Sequence, residues 1–176
     1  DILQQELLSI YSIAVDDENR KWFATLNKGV LSFDGETWRQ LITDDSLYDN
    51  WVSAVFIDPA GVRWIGLDRG TVCRYAGGKW SLYDIDESIR KYTVNVFAKD
   101  IDDSIWLVKV PSIDHFDGET WKKYERNNSP ITGRRLSLAI DNNGMKWFGH
   151  EDGVTSYDGE TWTTYTEDDG LVFNRV

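Results

Sequence analysis

The chain of 176 residues carries 9 Trp, 8 Tyr and 7 Phe and is 41% hydrophobic and 28% charged, a balance that excludes intrinsic disorder and is unusual only in its aromatic content. Lys plus Arg number 19 against 30 Asp plus Glu, a net charge of -11, which excludes a general grip on nucleic-acid phosphates or on an anionic membrane surface. Cys73 is the single Cys, so an intramolecular disulfide framework and a Cys-rich zinc site are excluded, and no apolar run approaches the roughly 20 residues that span a bilayer.

The first predicted element is the strand Ser9 to Val15 (SIYSIAV). It opens a pattern that then recurs three times. Trp22, Trp64, Trp106 and Trp147 stand 42, 42 and 41 residues apart, and Trp38, Trp80, Trp121 and Trp162 stand 42, 41 and 41 apart. Asp16, Asp58, Asp100 and Asp141 each precede the first Trp of a unit by six residues. The string DGETW occupies Asp34 to Trp38, Asp117 to Trp121 and Asp158 to Trp162, with AGGKW from Ala76 to Trp80 in the remaining slot. The second unit shows the internal pattern most clearly: WVSAVFI (Trp51 to Ile57), the breaker DPAG, then VRWIGL, DRG, TVCRY, AGG and KWSLY. These are four short β-branched and aromatic runs separated by Gly and Asp turns, and the Asp-Gly pairs suit the positive φ of a tight hairpin. A polar connection such as Asp84 to Tyr92 leads to the next unit.

Four antiparallel strands per roughly 42 residues, apolar on both faces, describe a propeller blade held between neighbours. The expectation is an all-β β-propeller of four-stranded antiparallel blades, four per chain, in a single domain over residues 1–176 with blades at about 9–50, 51–92, 93–134 and 135–176. Helical repeats of this length need segments of at least about 10 residues with a 3.6-residue period, and none exists. The GH and WD landmarks of WD40 blades are absent, and the double Gly of kelch occurs only at Gly77 and Gly78. The runs AVFIDPAGVRWIGLDRGTVCRYAGGKW and LAIDNNGMKWFGHEDGVTSYDGETWTTYTEDDGLVFNRV resemble the two-component-regulator propeller repeat, a hydrophobic strand followed by an Asp turn, Gly, Trp, Gly-Thr and an aromatic strand. The third unit departs, with Val108 and Lys109 in the Gly-Thr slot and Pro111 after them.

Eight Trp hold fixed repeat positions, so packing between blades is their expected use. Trp51 does not. It lies in a connection, where the equivalent residues are Thr93, Arg134 and Arg175, and its indole either stacks on a ligand or is simply buried. The recurring Asp residues lack the oxygen spacing of a calcium loop and are expected to cap turns. His115 and His150 lie in different units without a matching carboxylate or Cys partner in the same segment, and no nucleophile triad, P-loop or zinc motif is present. No catalytic residue, metal or cofactor is expected. Connections between blades and loops between second and third strands share one end of a propeller; the candidate ligand-binding residues there are Asn50, Trp51, Tyr92, Arg134, Arg135, Asn174 and Arg175, with Lys28, Arg69, Glu151 and Asp152 in the shorter loops. Lys122, Lys123, Arg126, Arg134 and Arg135 fall close together against the single acid Glu125, and Arg forks suit carboxylate or sulfate.

The resemblance implies a bacterial extracytoplasmic sensor or ligand-binding module, periplasmic or extracellular, that takes a carbohydrate-like small ligand and relays occupancy to other domains. The alternatives are a structural or protein-protein interaction scaffold and, behind it, a propeller enzyme of the streptogramin-lyase type. Terminal blade faces that are apolar must be covered, so either a closed four-blade monomer or a dimer forming an eight-blade ring is expected. With Met145 as its single Met and Asp1 in first place, the chain is expected to be a processed product or an excised piece, and no segment reads as a signal peptide.

Overall fold

The structure, a computed structural model, describes residues 9–41, 50–84, 93–109, 112–125, 127–131 and 137–174. Sixteen strands form four separate four-stranded antiparallel sheets, each in simple up-and-down order. Blade 1 holds β1 (Ile10–Val15), β2 (Lys21–Thr25), β3 (Val30–Phe33) and β4 (Trp38–Leu41). Blade 2 holds β5 (Val52–Ile57), β6 (Arg63–Leu67), β7 (Thr71–Ala76) and β8 (Lys79–Asp84). Blade 3 holds β9 (Val94–Lys99), β10 (Ile105–Lys109), β11 (Ser112–Phe116) and β12 (Trp121–Tyr124). Blade 4 holds β13 (Ser137–Ile140), β14 (Lys146–His150), β15 (Gly153–Tyr157) and β16 (Trp162–Tyr165). The all-β blade architecture expected from the period-two pattern is therefore observed, with 3-10 turns at Asp68–Gly70 and Glu167–Asp169. No helix among the described residues is long and apolar enough to cross a membrane.

Two compact units can be described, Asp1–Val94 and Asn95–Val176, and each has a core between its own blades. In the first, Trp22, Ala24 and Val30 of blade 1 pack on Val55, Ile65, Leu67 and Cys73 of blade 2. In the second, Trp106, Val108, Ile113 and Tyr124 of blade 3 pack on Phe148 and Tyr157 of blade 4. Register explains the choice of residues, because directly opposed residues in a sheet share a face. Ala24 lies opposite Val30, and Val108 opposite Ile113 and Tyr124 in turn.

Each recurring Asp closes the turn between the first and second strands. Asp16 Oδ1 accepts the backbone N–H groups of Glu18 and Arg20 at 3.1 and 2.8 Å, while Oδ2 accepts the Trp22 indole N–H at 2.9 Å. Asp141 repeats the arrangement with Asn143, Met145 and Trp147, and the indole bond also joins Trp106 to Asp100 at 3.2 Å. In blades 1, 3 and 4 the six-residue spacing is thus a brace between turn and strand. At the DGETW segments the turn is longer than a two-residue hairpin: Phe33 pairs with Trp38, Phe116 with Trp121 and Tyr157 with Trp162, leaving four residues in each loop. The reason is the Asp side chain. Asp117 Oδ1 accepts both Glu119 N–H and Thr120 N–H, at 2.8 and 2.7 Å, which wraps the chain around the carboxylate and leaves Gly118 at φ 105°. Only blade 2 turns in two residues, through Gly77 and Gly78, both at positive φ.

Candidate functional site

Within every sheet the up-and-down order puts the Asp turns and the DGETW turns at one end and the second-to-third-strand loops, with the connections, at the other. At that second end of the first unit the backbone ties several segments together. Asn50 O accepts the N–H of Gly29 from the β2–β3 loop at 2.9 Å, and Trp51 O accepts the N–H of Asp68 from the β6–β7 loop at 3.0 Å. Leu26 N–H donates to Ser9 O at 3.2 Å. The β2–β3 loop is itself held by Thr25, whose hydroxyl donates to Gly29 O and accepts Lys28 N–H, and by Gln40, whose amide donates to Lys28 O. Two adjacent blades therefore meet at the Asn50-Trp51 peptide. Trp51 is 44% exposed.

Of the residues expected to line a site, Asn50 and Trp51 come together with the loops that carry Lys28 and Asp68. Arg69 is described for its backbone, in the 3-10 turn. Tyr92, Arg134, Arg135 and Arg175 lie outside the described residues. Asn174, in the second unit, is tied to its own neighbourhood: its Oδ1 accepts Glu167 N–H at 2.6 Å, and its backbone N–H donates to Glu167 Oε1 at 3.1 Å. In the same unit Glu151 and Asp152 form the β14–β15 loop, where Asp152 N–H donates to His150 Nδ1 at 3.3 Å.

The two His side chains are committed to packing. His150 is buried, its Nε2 lies 2.8 Å from the Thr155 hydroxyl, and Thr155 continues to Thr164 at 2.9 Å. Burial holds the imidazole pKa below its ordinary value. His115 stacks on Trp106 at 4.4 Å between ring centres, and burial lowers its pKa as well. Among the described residues no three His, Cys, Asp or Glu side chains converge as metal ligands would.

One polar cluster escaped the sequence reading. Lys109 and Asp114, both buried in blade 3, approach to 3.5 Å, and the Ser112 hydroxyl donates to Asp114 Oδ2 at 3.2 Å. Burial pushes the Asp114 carboxyl up to about 6, against the pull of Lys109 and Ser112. Register places Asp114 opposite Leu107, the position that Leu31, Cys73 and Thr155 fill in the other blades. The departure of Lys109 from the repeat was the available signal, but its partner could be named only once the strands were paired.

Comparison with protein-family models found no match, and comparison with curated proteins found none. Solved structures do match. The extracellular domain of the hybrid two-component system BT3049 from B. thetaiotaomicron aligns over 97% of this chain and 24% of its own, at 20% identity and a TM-score of 0.79. The extracellular domain of the one-component system BT4673 from the same organism aligns over 99% of this chain and 25% of its own, at 17% identity and a TM-score of 0.75. Virginiamycin B lyase from Staphylococcus aureus aligns over 89% of this chain and 55% of its own, at 16% identity and a TM-score of 0.68. The chain thus spans about a quarter of the length of the two extracellular domains. The likenesses establish the propeller-blade fold, and the resemblance read from the repeat to two-component-regulator propellers is borne out at that level.

Proposed function

We propose that the chain is a non-catalytic, extracytoplasmic sensor or ligand-binding module, and that its ligand sits at the loop end of the blades against Trp51. The observation that carries the reading is the half-exposed indole of Trp51, the Trp that stands outside the repeat register, at a peptide where two blades are joined. Residues at repeat positions are committed to packing, whereas connections are free to vary with the ligand. An indole face suits the apolar face of a sugar ring, and Asn50 beside it supplies an amide that both donates and accepts. The extracellular placement of the BT3049 and BT4673 domains supports the same class of role.

Arg134 and Arg175 enter the proposal on sequence position, since they hold in their own units the place that Trp51 holds in the second; Tyr92, Arg135 and Asn174 follow as further contacts from the connections. Arg in an otherwise acidic chain favours a uronic or sulfated saccharide over a neutral one. The test is calorimetry with a panel of neutral, uronic and sulfated oligosaccharides. Trp51→Ala is expected to weaken binding at least about tenfold, the worth of one ring stack, and affinity for the charged sugars should fall with added salt. Binding unchanged in Trp51→Ala and Arg134→Ala, at equal thermal stability, removes this site. An enzyme of the lyase type would need an accessible general base, and the packing of His150 and His115 speaks against either imidazole in that role.

A further inference from the structure

Trp51 and Gln40 both depart from the repeat. Trp51 stands where the other connections carry Thr93, Arg134 and Arg175. Gln40 pairs with Leu31 on the outer strand of blade 1, at the position that Leu82, Lys123 and Thr164 fill in the other blades. The two residues lie in neighbouring blades of the first unit, and two peptide groups join them.

The first is the peptide between Lys28 and Gly29. Its carbonyl oxygen accepts the Gln40 amide N–H at 3.0 Å, and its own N–H donates to Asn50 O at 2.9 Å. A trans peptide is planar, with C=O and N–H pointing in opposite directions, so whatever holds the oxygen also aims the N–H. The second is the peptide between Asn50 and Trp51, whose carbonyl is the one this N–H reaches. On the far side of the residue, Trp51 O accepts Asp68 N–H at 3.0 Å. Blade 1 therefore holds the backbone at one end of Trp51 and blade 2 at the other.

Gly29 is what makes the Gln40 contact consequential. Its φ is 68°, and turning the Lys28–Gly29 peptide over would carry φ to negative values, which glycine adopts as readily. Sterics alone do not select the direction in which this peptide faces. Thr25 does not select it either: its Oγ1 accepts Lys28 N–H at 3.1 Å and donates to Gly29 O at 2.7 Å, and those atoms belong to the peptides on either side. The Gln40 amide acts on the peptide between them.

We propose that Gln40 is a positioning residue for Trp51: by holding the Lys28 carbonyl it directs the Gly29 N–H onto Asn50 O and so sets the pose in which the indole is presented. This rests on Trp51 as the residue that meets the ligand, and adds that its presentation is controlled from the neighbouring blade.

Fluorine NMR of protein labelled with 5-fluorotryptophan tests the pose without any ligand. The nine Trp give one resonance each, and Trp51→Phe identifies that of Trp51. Gln40→Leu introduces the residue type that blade 2 carries at this position, and Gln40→Glu keeps the shape of the side chain but, when ionised, faces the Lys28 carbonyl with an acceptor. Both should move or split the Trp51 resonance and leave those of Trp64, Trp106 and Trp147 in place. Below about pH 5 the introduced carboxyl gains a proton and becomes a donor, so the signal should return towards the wild-type position recorded at the same pH; a simple loss of packing has no such pH profile. Calorimetry with a galacturonic acid trimer and with a chondroitin sulfate tetrasaccharide reads the consequence. Whichever binds wild type should bind the uncharged Gln40→Leu variant at least about threefold more weakly, at equal thermal stability, because only molecules in the competent pose bind.

A Trp51 resonance that stays in place in both variants overturns the proposal. A displacement shared by all nine resonances overturns it too, since Gln40 would then support the fold in general, and so does unchanged affinity in Gln40→Leu. Failure of both sugars to bind wild type counts against Trp51 as a ligand residue, while the fluorine spectra still decide whether Gln40 sets its pose.

Discussion

Asp141 divides its carboxylate between a turn and a strand, one oxygen on the backbone of Asn143 and Met145 and the other on the Trp147 indole, and the same economy recurs at the DGETW loops. There the Asp117 carboxyl is held down to about 2 by the N–H groups of Thr120 and Glu119. Groups of this kind stabilise the fold above their unfolded pKa near 3.8, and the contribution is lost as pH falls through the folded value. Asp114 runs the other way. Its folded pKa of about 6 makes its ionised form a penalty at neutral pH that disappears as pH falls from about 6 to below 3.8. Wild type should therefore gain stability relative to Asp114→Asn between neutral pH and about pH 4, whatever constant offset the variant carries, and urea denaturation across that range is the measurement. Gly118→Val should cost about 1 to 2 kcal/mol, since φ of 105° is closed to a β-branched residue while open space surrounds the missing Cβ. Ligand binding should not change with it; a lost ligand at an unchanged melting temperature would make the loop a recognition element.

The first strand and the four strands of the second blade were legible in the sequence to within a residue or two, because strand identity rests on a period of two and turn identity on Gly and Asp, both local properties. The expected strand KWSLY, for example, is β8 extended by Asp84. The four-residue form of the DGETW turn was not legible, because it depends on how many N–H groups one carboxylate collects. Junctions between blades show a further difference. Arg63 lies between the Trp22 and Tyr75 rings, at 4.4 and 5.0 Å, and truncation to Ala should cost about 1 kcal/mol. Lys146→Ala should cost more, about 3 kcal/mol, because it strands the nearly buried Asp100 carboxylate. Equal losses in chemical denaturation would mean that the ion pair adds nothing to the ring contact.

Among the described residues one apolar core lies inside each compact unit, and repeat proteins draw their stability from such neighbour interfaces. Ile65→Ala should cost about 2 to 4 kcal/mol through the cavity it leaves. Hydrogen exchange should then show lost protection concentrated in β1 to β8, with β9 to β16 much less affected. Uniform loss across all sixteen strands would mean that the chain opens as one cooperative body.

Spacing alone determined that the chain is a fourfold repeat, that each repeat is a blade, and that Trp51 is the Trp without a repeat role, since each is a statement about periodicity. Pairing across space was decided only by the tertiary structure. That Asp114 answers Lys109 depends on the pairing of β10 with β11, and that Arg63 and Lys146 lie over the Trp rings of the preceding blades and that Asn50 and Trp51 knit two loops together depend on residues well separated along the chain. An unpaired strand carries no record of its partner's side chains; burial between sheets creates that relation.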